Sequence, residues 1–171
     1  MGDGNYILPA LAIALGGDLF YSVRVLYALI GAATIPVLFI LARDVRGQEA
    51  AVWAGVLFAL NPYRLVNSLE GATSEVPFTF LVFLGLLLAA RQRARVSLVE
   101  ALLTGLCFTA AASFRFEAGF WALLAGLLIL SPVAPTFRPR LESPRVKSAV
   151  VFCLAASCYP IVRCSLVAAS R

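Results

Sequence analysis

The chain contains no histidine. That removes the side chain most often used as a general base near neutral pH, the Ser-His-Asp arrangement, and most zinc sites. Charge is also scarce, with Asp, Glu, Lys and Arg together making up 13% of 171 residues. The four cysteines, Cys107, Cys153, Cys158 and Cys164, show no Cys-x-x-Cys spacing. Within apolar helices they read as small packing residues rather than a redox pair or a thiolate metal site. There is no Walker-type phosphate loop and no G-x-G-x-x-G. No internal repeat stands out, so the inverted-repeat logic of transporters has no support. The N-terminal run Met1-Gly2-Asp3-Gly4-Asn5-Tyr6 lacks the basic region of a signal peptide, and Tyr6 stands where myristoylation needs Ser or Thr.

What is present is apolar. Hydrophobic residues make up 61% of the chain and the mean hydropathy is +0.92. A soluble core of this size cannot hide so much apolar surface, and a bilayer can. The runs are continuous rather than alternating, which argues against a β-barrel. The composition therefore predicts an all-α fold, a polytopic transmembrane helical bundle of about 5–7 membrane segments plus a short interfacial helix, forming a single transmembrane domain over 1–171. Tyr6–Leu15 carries Pro9 and is too short to span, so 1–20 reads as an external loop and interfacial helix. Val23–Ala42, Ala50–Leu60, Val76–Ala90, Leu98–Ala112, Gly119–Leu130 and Ser148–Val162 are the longer candidates. Asn61-Pro62 must break or turn the second of them. Gly31-Ala32-Ala33, and Gly105 with Ala110–Ala112, offer small surfaces for close helix approach.

The loops between these runs alternate in charge. Those at 43–49, 91–97 and 131–147 hold Arg43, Arg46, Arg91, Arg93, Arg95, Arg138, Arg140, Arg145 and Lys147. This is the positive-inside pattern, so these loops are expected on the cytoplasmic side, and the net charge of +5 needs no nucleic acid to explain it. The opposite, external set holds Asp3, Asp18, Arg24, Glu70, Glu75, Arg115, Glu117 and Arg163. Glu75 lies at the mouth of one apolar run and Glu117 splits another. Ionisable groups at such depths are expensive and usually functional.

Carboxylates at a membrane–water edge can act as general bases, and Arg residues beside them can hold a phosphate through bidentate bonds. A base for an acceptor hydroxyl, together with a clamp for a lipid phosphate, is what glycosyl transfer from a lipid-linked sugar needs. Plainer readings fit the same residues. Ser74-Glu75 also suits a helix start, Arg115 and Glu117 also suit an ion pair closing a tight turn, and Arg163 also suits a snorkelling side chain. Asp18 after Gly16-Gly17 reads as a turn residue, and Tyr63 and Arg64 read as interface anchors. Charges at mid-helix, which a small transporter would need, are missing.

The order of these features resembles the N-terminal half of GT-C membrane glycosyltransferases, most closely the protein-mannosyltransferase-like and aminoarabinose-transferase-like branch. The matching pieces are Asp3-Gly4-Asn5-Tyr6, Gly16-Gly17-Asp18-Leu19-Phe20 with Arg24, Ala42-Arg43-Asp44-Val45-Arg46-Gly47 and Leu60-Asn61-Pro62. Thr73-Ser74-Glu75-Val76-Pro77-Phe78, Ser113-Phe114-Arg115-Phe116-Glu117 and Tyr159-Pro160-Ile161-Val162-Arg163-Cys164 complete the series. The chain departs from the pattern where Ile161 replaces Trp, Cys164 replaces Asn and Phe114 replaces Thr. The resemblance implies transfer of a sugar from a polyprenyl-phosphate carrier to a glycan, lipid or protein acceptor on the external side of the membrane. It implies Asp3 and Glu75 as catalytic residues, Arg115 and Arg163 as contacts to the lipid phosphate, and Arg24 and Glu117 as supporting residues. No cofactor is implied; a divalent metal serves some relatives, but the sequence has no ligand cluster for one. The family's first span and C-terminal portion have no counterpart, which implies an N-terminal fragment of a larger GT-C fold or a partner chain completing it. The expected location is a bacterial or archaeal cytoplasmic membrane, or the ER membrane in a eukaryote. The alternative reading is a catalytically inactive membrane scaffold or accessory subunit that retains part of the fold.

Overall fold

A computed structural model describes residues 9–10, 13–14, 19–62, 73–92, 97–130 and 151–152. Among these residues the chain is helical and contains no strand. Five helices follow in order: α1 (Leu19–Arg46), α2 (Gln48–Ala59), α3 (Glu75–Gln92), α4 (Leu98–Phe114) and α5 (Ala118–Leu130). The expected all-α architecture is therefore what the chain adopts. At 1.5 Å per residue α1 is about 42 Å long and α3 about 27 Å, against a hydrocarbon core of about 30 Å. Among the described residues, Tyr21–Arg46 and Glu75–Gln92 are the two helices long and apolar enough to cross a membrane; Leu98–Phe114 and Ala118–Leu127 are shorter apolar helices.

Local chemistry sets the helix ends. Arg43 and Arg46 occupy the last turn of α1 and Arg91 that of α3, where cations offset the C-terminal dipole. The expected loop at 43–49 is reduced to one residue. Gly47, at φ 90°, donates its N–H to the Arg43 carbonyl at 2.9 Å and accepts from the Ala51 N–H at 3.2 Å. Only glycine enters that region of φ without strain, so α1 and α2 fold back on each other through a single joint. Pro36 lies inside α1 without ending it. Ser97 caps α4 by accepting the Glu100 N–H at 3.4 Å, the first half of a Ser-x-x-Glu capping box. As Asn61-Pro62 requires, α2 stops at Ala59.

The packing follows from small residues. Helix α3 is the centre of the bundle, lying against α1, α4 and α5, while α2 lies along α1 and reaches α3 through an edge-on contact of Phe58 with Phe83. The main core cluster contains Val82, Ala89, Ala101, Phe108, Ala111, Ala118, Ala125 and Phe152. Five alanines in that set let backbones approach closely, which is how helices associate when lipid removes the hydrophobic drive. Gly85 receives the Phe108 ring so closely that a Cβ there would lie 2.8 Å from it. Gly105 and Ala111 are buried as the sequence suggests, but Ala32 and Ala33 face outward. On α1 the side chains turned inward are Val23, Tyr27 and Thr34, because the helical stripe there falls between the small residues. Outward faces carry Leu29, Trp53, Leu57, Val99 and Leu123, a surface suited to lipid.

Two polar ends result. Helix α3 runs the same way as α1 and α4 the other way, as the contacts of Val23 and Tyr27 with Val76, of Gly85 with Phe108 and of Gln92 with Thr104 require, and the Gly47 joint sends α2 back along α1, with Gly55 beside Phe39. One end gathers Arg43, Asp44, Arg46, Arg91 and Glu100. The other gathers Arg24, Glu75, Arg115 and Glu117.

Candidate functional site

The second of these ends is built around one cation. Arg115 follows α4 as its C-cap, with extended backbone (φ −147°, ψ 133°) and its N–H donated to the Ala111 carbonyl at 3.1 Å. The chain then turns at once into α5. The N–H groups of Ala118, Gly119 and Phe120 are donated to the carbonyls of Arg115, Phe116 and Glu117. This tight corner places Glu117 beside Arg115, and Nη2 donates to Glu117 Oε1 at 2.8 Å. The ion pair expected from their spacing is present.

The other partner comes from far along the chain. Glu75 opens α3 in its first turn, where a carboxylate is favoured by the helix dipole. Arg115 Nη1 donates to Glu75 Oε1 at 3.0 Å, across 40 residues of sequence. Glu75 is thus both a helix-start residue and part of the charged cluster, and the two readings of it are compatible. Its backbone carbonyl also accepts the Thr79 hydroxyl at 2.6 Å, which ties the first turn together. The guanidinium carbon lies 5.8 Å from the centre of the Phe78 ring.

Electrostatics favour a permanent charge at the centre. The hydrogen bond to Glu117 raises the Arg115 pKa above its already high ordinary value; burial opposes this, and the charges of Glu117 and Glu75 reinforce it. One cation facing two carboxylates leaves the cluster one negative charge when all three are ionised. Two N–H groups of the guanidinium are used in these bonds, and an arginine carries five, so donors remain for a further anion.

Among the sequence-predicted residues, Glu75, Arg115 and Glu117 come together. Arg24 lies exposed on the first third of α1, at the same end. Asp3 and Arg163 lie outside the described residues, as do Asp18 and Glu70. Phe78 is absent from the sequence-based set, although its place three residues after Glu75, on the same helix face, is a legible signal. Tyr27 is also absent: it is fully buried against Val23 and Val76, and its hydroxyl has no partner among the described residues. Among the described residues no three His, Cys, Asp or Glu side chains form a group that could hold a metal ion.

The opposite end differs in kind. Asp44 bridges Arg43 at 3.5 Å and Arg91 at 3.8 Å, with the arginines about half exposed. Deeper in, Gln92 donates to the Thr104 hydroxyl at 3.0 Å, and Thr104 donates to the Glu100 carbonyl at 2.6 Å. These bonds join α3 to α4, and among the described residues they bring no second carboxylate onto a shared cation. Carboxylates are therefore divided between both ends; what distinguishes the Glu75 end is two of them on a shared guanidinium.

A sequence model of the family described as dolichyl-phosphate-mannose-protein mannosyltransferase matches residues 4–162 of the chain. No curated protein and no solved structure matches it.

Proposed function

Since this chain belongs to the dolichyl-phosphate-mannose-protein mannosyltransferase family, a family of membrane glycosyltransferases, we propose that it acts in sugar transfer from a polyprenyl-phosphate carrier to a hydroxyl-bearing acceptor. The transfer would take place at the end of the bundle that carries Glu75 and Arg115, on the external side of the membrane. The observation that carries this reading is the Glu75–Arg115 contact, which fixes a carboxylate and a cation together at the edge of an apolar bundle.

In this reading the acceptor oxygen attacks the anomeric carbon of the sugar. The bond from that carbon to the carrier phosphate oxygen breaks, and its electron pair leaves with the phosphate. The acceptor proton passes to a carboxylate, Glu75 or Asp3. The leaving phosphate gains a negative charge, which the free N–H groups of Arg115, and Arg163 with it, would stabilise. Glu117 keeps Arg115 charged. Glycan, lipid and protein acceptors all supply the hydroxyl this step consumes.

A second reading has one observation in its favour. The guanidinium already serves two carboxylates, as a purely structural latch in an inactive scaffold or accessory subunit would. One experiment separates the two. Membranes containing the full-length protein are supplied with a polyprenyl-phosphate sugar, and transfer is measured for the wild type, Glu75→Gln and Arg115→Ala. The transferase reading expects transfer by the wild type and its loss by at least a hundredfold in both variants, in the range general base and charge stabilisation contribute. Equal transfer by all three removes these residues from the mechanism, and no transfer by any supports the scaffold.

A further inference from the structure

The first turn of α3 offers two different groups to one cation. Glu75 and Phe78 are three residues apart and so lie side by side on the helix surface. Glu75 accepts a hydrogen bond from Arg115 at 3.0 Å, and the Phe78 ring faces the guanidinium carbon at 5.8 Å. Phe78 is itself seated against the core cluster that contains Val82, one turn further along α3. The ring is anchored by packing, while the arginine is a long, rotatable chain on an extended backbone.

We propose that Phe78 is a positioning residue, whose ring face keeps Arg115 turned toward Glu75 rather than out to water. This rests on the reading of Glu75 and Arg115 as the working pair. Glu117 cannot do this alone. It sits in the same corner as Arg115, two residues away, and would follow the guanidinium wherever that corner lets it point. Phe78 belongs to the same turn as Glu75, so a contact with its ring selects the rotamers that also reach Glu75. The attraction of a guanidinium to an aromatic face is large enough to bias that choice, and an aliphatic side chain of similar bulk lacks it.

The test uses the full chain in detergent and in membranes, with Phe78→Tyr, Phe78→Leu and, as a second aliphatic replacement tolerant of imperfect packing, Phe78→Met. In each background the coupling between Glu75 and Arg115 is read from a double-mutant cycle of unfolding midpoints with Glu75→Gln and Arg115→Lys. Sugar transfer is measured in parallel. Phe78→Tyr is expected to keep the coupling and the transfer rate. Phe78→Leu and Phe78→Met are expected to lose most of the coupling and to lower kcat roughly threefold to tenfold, with the donor KM changed less. Coupling that survives in the aliphatic variants overturns the proposal, and so does coupling lost equally in Phe78→Tyr. The coupling is measured without turnover. A wild type that transfers no sugar therefore refutes the transferase reading, while the coupling result still decides the role of Phe78.

Discussion

Removing Arg115 should do more harm than removing either of its partners, and should reverse the sign of what the partners do. The guanidinium is about one third exposed, Glu75 about one quarter and Glu117 somewhat under half. At such exposure a Coulomb attraction of about 4 kcal/mol at an effective dielectric near 20 is mostly offset by desolvation and lost rotamer freedom. About 0.5–1 kcal/mol per pair remains. Arg115→Ala removes both pairs and the contact with Phe78, worth about another 0.5–1 kcal/mol, and leaves two carboxylates facing one another. The total is roughly 2–3 kcal/mol, against roughly 0.5–1 kcal/mol for Glu117→Gln. In the wild type Glu117→Gln is then destabilising; in the Arg115→Ala background it is stabilising, because it removes a repulsion instead of an attraction. Unfolding of the four proteins in one detergent gives all the numbers required. If Glu117→Gln has the same sign and size in both backgrounds, the two carboxylates do not share the cation and the reasoning fails. The pH dependence follows in sign. Arg115 has its pKa raised in the folded state, so its own titration takes stability away only at pH values above the ordinary arginine range. Any loss of stability between neutral pH and about pH 10 must therefore come from other groups.

Two further predictions concern glycines. Gly85→Ala places a Cβ 2.8–2.9 Å from the Phe108 ring, which is 2% exposed and held edge-on by Phe152. Overpacking of about 1–3 kcal/mol should outweigh a helix-propensity gain of about 1 kcal/mol; thermal unfolding should show a lower midpoint, restored in part by Phe108→Leu, and a higher midpoint for Gly85→Ala would contradict the close contact. Gly47→Ala meets no neighbour but imposes φ 90° on a side chain, so it should destabilise the α1–α2 joint by about 1–3 kcal/mol, read as faster proteolysis at the turn, and equal cleavage rates would count against the strain.

The helical architecture and the grouping of Arg43, Arg46 and Arg91 away from Arg24, Glu75, Arg115 and Glu117 were legible because both depend on local pattern, apolar run length and charge between runs. The Arg115–Glu117 pair was legible for the same reason, being two residues apart in a corner. Three things were not. The reach of Arg115 to Glu75 depends on how α4 returns along α3, which no local signal encodes. The reduction of 43–49 to Gly47 turned on whether Arg43 to Arg46 would remain helical, and polar residues at a helix end read equally as a loop. The outward facing of Ala32 and Ala33 depends on which stripe of α1 meets α3, and in a helix apolar on every side composition does not choose the stripe. The functional assignments of Asp3 and Arg163 rest on sequence order.

The central position of α3 carries a consequence for how the protein is made. The apolar stretch of α1 has 11% of its residues buried within the protein, whereas that of α3 has 44% and is the less hydropathic of the two. It carries Thr79 and Gln92 on its buried side. Alone in lipid, Gln92 would lack the Thr104 hydroxyl and Glu75 would lack Arg115, both supplied by α4, the helix synthesised next. The more apolar α1 can partition into lipid on its own account, whereas α3 gains these two polar partners only once α4 has been made. Stable insertion of α3 is thus expected to depend on α4, which supplies Thr104 and Arg115 to Gln92 and Glu75.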